Sequence, residues 1–220
     1  LPDLVFSEFS ARIGSGEVVI PHKIKNQGEA ATTGPFQAAF YLSADTVLDG
    51  ADLLLGTRTI LQILDPGDVE SETTRIAIPA SAPAGSAYVL GRVDSGGAQA
   101  EQVETNNGAF DPGALNLRPD LVFTSIPVEQ SGKTVIVTDT VKNQGPLAVS
   151  APFRVDYYLV QSGTVSTSDL FLGSRTISTP LAFNVTNTKT TTFNVPGSVS
   201  AGTWKVGLIV DAGAAISELN

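Results

Sequence analysis

Apolar and polar residues alternate along short stretches of this chain, and Gly, Pro, Asn and Asp separate one stretch from the next. Val18, Ile20 and Ile24 fall on one face of such a stretch, and Val135, Val137 and Val141 do the same further on. Period-two alternation bounded by turn residues is the pattern of half-buried strands. It predicts strands over roughly 3–9, 17–25, 36–43, 53–61, 70–78, 86–94 and 104–117 in the first half of the chain. About seven short antiparallel strands per hundred residues imply an all-β sandwich of two sheets. Trp204, Val206, Leu208 and Val210 are then inward residues of the second half.

The pattern occurs twice. Pro2-Asp3-Leu4-Val5-Phe6 returns as Pro119-Asp120-Leu121-Val122-Phe123, and Lys25-Asn26-Gln27-Gly28 as Lys142-Asn143-Gln144-Gly145. Tyr41-Leu42, Arg58-Thr59-Ile60 and Val93-Asp94 return as Tyr158-Leu159, Arg175-Thr176-Ile177 and Val210-Asp211, always 117 residues later. Residues 1–103 align without a gap to 118–220 with 35 identities, so the chain is a duplication. We expect two domains, 1–117 and 118–220, with residues around Asp111 to Arg118 leading directly from one to the other. Asn26-Gln27-Gly28 is expected to end a strand at a turn that needs positive φ at the glycine.

These separated motifs, in this order, resemble the CARDB family of cell-adhesion-related domains of bacteria and archaea. They are "PDLVF", the strand ending "VKNQG", "YLS", "LLGTRTI", and "VD" followed by "E…ETNN". The resemblance extends over both copies and implies immunoglobulin-like sandwiches in extracellular or cell-surface proteins. It does not name a partner, because a fold hosts many functions.

Composition narrows the function classes. There is no Cys, so disulfides, thiolate metal sites and cysteine nucleophiles are excluded. No apolar run approaches the length of a membrane span. The absence of Met reads as a processed chain or a piece of a longer one. Net charge is −9, and all of the excess acid lies before residue 118, which argues against a nucleic-acid partner. No Gly-x-Ser-x-Gly or His-x-x-x-His pattern occurs, and the one histidine, His22, has no evident nucleophile or orienting acid, so an enzyme is not expected.

Four features carry candidate chemistry. The run Ser43 to Asp52 holds Asp45, Asp49 and Asp52 at spacings of four and three, an oxygen-rich loop that suits Ca²⁺ in the first domain. It lacks the full EF-hand ladder, and the alternative is an acidic solvated turn. The second copy has Ser162, Ser166 and Asp169 at these positions. His22 and its counterpart Asp139 read as polar positions near a strand end or facing the domain junction. Arg58 and Arg175 are expected to pair with a local carboxylate or carbonyl on a sheet surface. The sequon Asn184-Val185-Thr186 precedes a Thr-rich run that reads as an exposed strand or loop.

The second copy ends before any counterpart of 104–117, so its sandwich is expected to lack a last strand. Three functions follow as expectations. The first is a non-catalytic spacer or adhesion segment of a surface protein, with a protein, the chain itself or a cell-surface glycan as partner. The second is a subunit of an extracellular filament built head to tail by strand addition. The third is a carbohydrate-binding or accessory module of a secreted enzyme, against which stand only 15 aromatic residues.

Overall fold

The computed structural model describes residues 1–161 and 163–219, all of them in strands, bends, turns or loops. The chain divides into two compact units, Leu1–Leu117 and Arg118–Asn220.

In the first unit the strands are β1 (Leu4–Phe9), β2 (Arg12–Ile13), β3 (Glu17–Asn26), β4 (Phe36–Ser43), β5 (Leu53–Ile60), β6 (Val69–Ala77), β7 (Gly85–Arg92), β8 (Gly108–Phe110) and β9 (Leu115–Leu117). One sheet has β3 at its centre, with β6 along one edge and β1 then β2 in succession along the other. The other runs β5-β4-β7, and the outer edge of β7 carries β8 and β9 in succession. Every pairing is antiparallel. Val18, Ile20 and Ile24 of β3 lie with Phe36, Phe40, Leu42 and Val89 in the core, as their alternation requires. Each such side chain contributes about 1.5–3 kcal/mol by leaving water.

The second unit repeats this order with β10 (Leu121–Ser125), β11 (Val128–Ser131), β12 (Thr134–Asn143), β13 (Phe153–Val160), β14 (Leu170–Ile177), β15 (Thr186–Asn194) and β16 (Lys205–Ile209). Its sheets are β12 flanked by β15 and by β10 and β11, and β14-β13-β16. Leu121, Val137, Val141, Phe153, Val155, Tyr157 and Leu208 form its core, with Val206 and Val210 packed against it. Among the described residues nothing pairs with the outer edge of β16, where β7 carries two strands. The Thr-rich run is β15, and it forms the edge of its sheet.

The all-β, two-sandwich fold is the expected one, and its details differ at the end of the first unit. Residues 104–117 form two short strands, because Asp111 closes a turn between them. Its Oδ1 accepts from Gly113 N at 2.7 Å, and its Oδ2 accepts from Ala11 N. Leu115 and Leu117 are therefore buried members of the first sandwich and no free connector.

Candidate functional site

Each unit is held at its start by a buried asparagine. Asn26 Oδ1 accepts from Asp3 N and Gly28 N, both at 3.1 Å, and Nδ2 donates to Ala30 O at 2.8 Å and Leu64 O at 2.9 Å. Asn143 repeats all four bonds, with Asp120 N, Gly145 N, Leu147 O and Leu181 O. A fully buried amide with every donor and acceptor satisfied fixes its surroundings. Gly28 is needed for a reason other than positive φ, since a Cβ there would come within 2.5 Å of Asp3 N. Glu101 completes the clamp, accepting from Leu4 N at 2.5 Å and from Asn107 Nδ2 at 2.7 Å. Glu218 accepts from Leu121 N in the same way. Burial raises the pKa of both glutamates above the ordinary carboxylate value, against the lowering effect of those hydrogen bonds.

A second set of polar side chains lies between the sheets. His22 is in the middle of β3 and 2% exposed, so it is not near a strand end. Its ring packs 5.2 Å from Phe40 and 5.9 Å from Phe6, and its Nδ1 is 2.9 Å from Ile20 O. Nε2 is buried with no protein partner among the described residues, and burial lowers the pKa of the ring. A polar residue on the apolar face of a strand here marks the core itself. Asp139 occupies the same place in β12 and is fully buried.

The arginine common to both copies serves these positions. Arg58 pairs with Glu70 on β6 and is 3.6 Å from Glu72. Arg175 pairs with Asp139, its Nε at 3.1 Å and 3.2 Å from the two carboxylate oxygens, and its Nη1 donates to Asn187 Oδ1 at 2.8 Å. Asp139 also accepts from the Tyr157 hydroxyl at 2.5 Å. The expected arginine–carboxylate pairs are present, but they are largely buried rather than on a sheet surface. Glu70 in one unit and Asp139 in the other stand at different strand positions: the counterpart of Glu70 is Asn187 and that of Asp139 is His22, and neither counterpart is a carboxylate.

The acidic loop does not converge on a point. Asp45 Oδ1 accepts from Val47 N, Asp49 Oδ1 from Ala51 N and Asp52 Oδ2 from Asp49 N, each at 2.8 Å. Three carboxylates closing three local turns do not supply the six to eight oxygens that Ca²⁺ takes. Among the described residues no three His, Asp or Glu side chains are grouped to hold a metal. In the second unit Asp169 Oδ2 accepts from Ser166 N at 2.8 Å, so Asp52 and Asp169 close the same turn. Ser162 lies outside the described residues.

Nowhere among these groups does a nucleophile meet a base. His22 faces phenyl rings, Asp139 is held by an arginine and a phenol, and Glu101 by a backbone amide and an asparagine. The buried polar side chains that recur between copies hold strands in place. The CARDB family model matches residues 1–110, half of the chain and all of β1 to β8. The chain belongs to the CARDB family. CARDB domains are non-catalytic and adhesion-related, and they occur in surface and extracellular proteins. No curated protein matches the chain.

Solved structures similar to this CARDB chain include the CARDB domain of the PF1109 protein from Pyrococcus furiosus, described in complex with di-metal ions. It is 18% identical over 52% of this chain and 93% of its own, with a TM-score of 0.39. β-Glucosidase 3B from Thermotoga neapolitana is 16% identical over 51% of this chain, with a TM-score of 0.32, and the match spans only 16% of the glucosidase. The calcium binding domain CBD12 of CALX1.1 is 14% identical over 93% of this chain and 78% of its own, with a TM-score of 0.36. No helix of the structure is long and apolar enough to cross a membrane.

Proposed function

We propose that residues 1–220 are a non-catalytic segment of an extracellular surface protein, in which two CARDB units act as a spacer and adhesion module. The observation that carries this reading is the direction of the shared polar side chains. Asp3, Asn26, Arg58 and Glu101, and their counterparts Asp120, Asn143, Arg175 and Glu218, are bonded within their own unit. What the duplication has kept therefore includes a scaffold of polar side chains bonded inward. The excess negative charge of the first unit keeps that surface soluble and repels nucleic acid and other anionic partners. The second copy, with its matching clamp and strand order, is read as a second CARDB unit. The partner is a protein or glycan of the cell surface.

Beads coated with the intact chain test this against envelope proteins and a glycan array, alongside chromogenic ester and glycoside substrates. Protein-dependent bead adhesion with no turnover is expected. Turnover proportional to chain concentration would overturn the non-catalytic reading, and saturable sugar binding alone would replace adhesion by a carbohydrate-binding role.

A further inference from the structure

Sheet edges in both units are mostly broken by bulges. β1 and β10 shift register against the central strand between Phe6 and Glu8 and between Phe123 and Ser125, and β5 and β14 do so opposite Phe40–Tyr41 and Tyr157–Tyr158. A bulge turns an edge away from further pairing. β6 and β15 instead run along β3 and β12 for nine consecutive pairs each, with no shift. Their outer edges are unpaired among the described residues, so an open, regular edge at this position is common to the two copies.

Charge guards this edge in the first unit and not in the second. β6 carries Glu70, Glu72 and Arg75, whose counterparts in β15 are Asn187, Lys189 and Thr192. Lys189 is the one charge between Thr186 and Asn194, no proline occurs there, and threonine, which favours the extended chain, fills most of the remainder. The second unit as a whole carries as many bases as acids, whereas the first holds all of the excess negative charge. A long, regular, nearly uncharged edge is a template for another strand.

Hydrogen bonds at the two ends of β15 show which main-chain groups face outward. Val185 O accepts from Asn143 N at 3.2 Å, and Val195 N donates to Lys133 O at 2.8 Å, so the odd-numbered residues between them face β12. Thr138, the partner of Thr190, donates its N–H the other way, to Pro127 O at 2.9 Å. Thr186, Thr188, Thr190, Thr192 and Asn194 therefore direct their N–H and C=O groups at the free edge. Their side chains are exposed, and on the outer face Thr190 Oγ1 is 2.8 Å from Thr138 Oγ1 and Thr188 Oγ1 is 2.9 Å from Thr140 Oγ1.

We propose that β15 pairs edge to edge with β15 of a second copy of this chain, antiparallel and about a two-fold axis at Thr190. In that register Thr186 stands opposite Asn194, Thr188 opposite Thr192, and every outward main-chain group of the strand meets a partner. Lys189 lies opposite Thr191 and not opposite its own copy. The same patch serves both partners, so the contact closes at a dimer. It joins the uncharged units and leaves the two acidic ones outside the contact.

Sedimentation equilibrium of the intact chain, over a concentration series into the millimolar range, should show monomers and dimers and nothing larger. Thr190→Pro removes an N–H that faces the free edge and none that β12 uses, a position at which a sheet tolerates proline. It should weaken the dimer at least about tenfold while leaving the fold intact. The chain has no cysteine, so single cysteines read the register directly. With Thr190→Cys the two Cα atoms lie about 5.5 Å apart, within disulfide range, whereas with Thr186→Cys they lie about 27 Å apart. Mild oxidation should therefore cross-link the first variant and not the second, and this result stands even if the proline variant fails to fold. A chain that stays monomeric throughout, a folded Thr190→Pro chain that dimerises like its parent, equal cross-linking of the two cysteine variants, or assemblies beyond the dimer would each overturn the proposal. The adhesion reading is tested separately, because the bead assay scores partners other than this chain.

Discussion

The Tyr157 hydroxyl donates to Asp139 Oδ1 at 2.5 Å between the sheets of the second unit, where the first unit has Phe40 against His22. The exchange reaches further, because Asp139 also holds Arg175, while in the first unit the equivalent Arg58 is held by Glu70. Burial first, and then the bond to Asp139, push the Tyr157 hydroxyl up to about 12, so it remains a donor throughout the ordinary pH range. Asp139→Ala leaves Arg175 buried without its carboxylate and should cost about 3–5 kcal/mol. Tyr157→Phe removes one bond to a charged acceptor and should cost about 1.5–3 kcal/mol. Adding Asn187→Glu to Asp139→His and Tyr157→Phe recreates the first unit's arrangement and should recover part of the loss. Urea unfolding followed by Trp204 emission reads the second unit specifically. No recovery in the triple variant would show that the two networks are not interchangeable.

The clamp glycines make a sharper prediction. A Cβ at Gly145 would lie 2.4 Å from Arg118 O and Asp120 N, and one at Gly28 would lie 2.5 Å from Asp3 N. The obstacle is backbone that is itself held by Asn143 or Asn26, so it cannot yield cheaply. Gly145→Ala should destabilise the second unit by about 2 kcal/mol or more, within the range of severe single substitutions. Its Trp204 urea midpoint should fall, and Gly197→Ala, in the same unit and with nothing within 4 Å, is the control that should change little. Equal midpoints for Gly145→Ala and the parent chain would show that the first strand is not pinned there.

Alternation and the constant offset of 117 exposed most of the fold, because strand faces have period two and a duplication preserves register. They did not expose what the shared polar residues do. Asn26 looks like a turn residue from its neighbours Gln27 and Gly28, and only tertiary structure brings Asp3, Ala30 and Leu64 around its amide. His22 and Asp139 break an apolar face and so mimic a strand end, although His22 packs against Phe40 of another strand and Asp139 is bonded by Tyr157 and Arg175. The signal that could have found Asn26, Asp3 and Glu101 was their identity with Asn143, Asp120 and Glu218. Acid spacing in Ser43 to Asp52 does not say which way carboxylates turn, and here each accepts from a backbone amide of its own loop.

Histidine and glutamate give the first unit opposite responses to acid. Burial lowers the His22 pKa from its ordinary 6.5, so below that pH the unfolded chain takes up a proton that the folded chain refuses. The associated stability is fully present above 6.5 and is lost as pH falls toward the folded value. Glu101 is shifted the other way, upward from 4.5, so its contribution is fully present below 4.5 and is lost as pH rises through its folded value. The melting temperature of the first unit should therefore fall between pH 7 and the onset of Glu101 protonation, with a smaller loss below it. His22→Phe should remove the first part of that dependence. The second unit, with Asp139 at this position, has no counterpart of it. Amide exchange along β3 and β12 resolves the two units, and a pH response of β3 that survives His22→Phe would sink the assignment.

Calcium should leave the chain unchanged. Asp45, Asp49 and Asp52 each close a backbone turn, and turning them toward a shared ion would release the amides of Val47, Ala51 and Asp49. A ligand that binds only the folded state raises apparent stability by an amount set by its concentration relative to Kd. The test compares melting of the first unit in millimolar CaCl₂ and in excess chelator, with Asp45→Asn and Asp49→Asn alongside. Coincident curves for the parent chain are expected. The two variants should change melting by no more than a surface turn residue does, about 0.5 kcal/mol. A calcium-dependent rise that disappears in either variant would mean that the loop rearranges around an ion, and that the three turns give way to a ligand set.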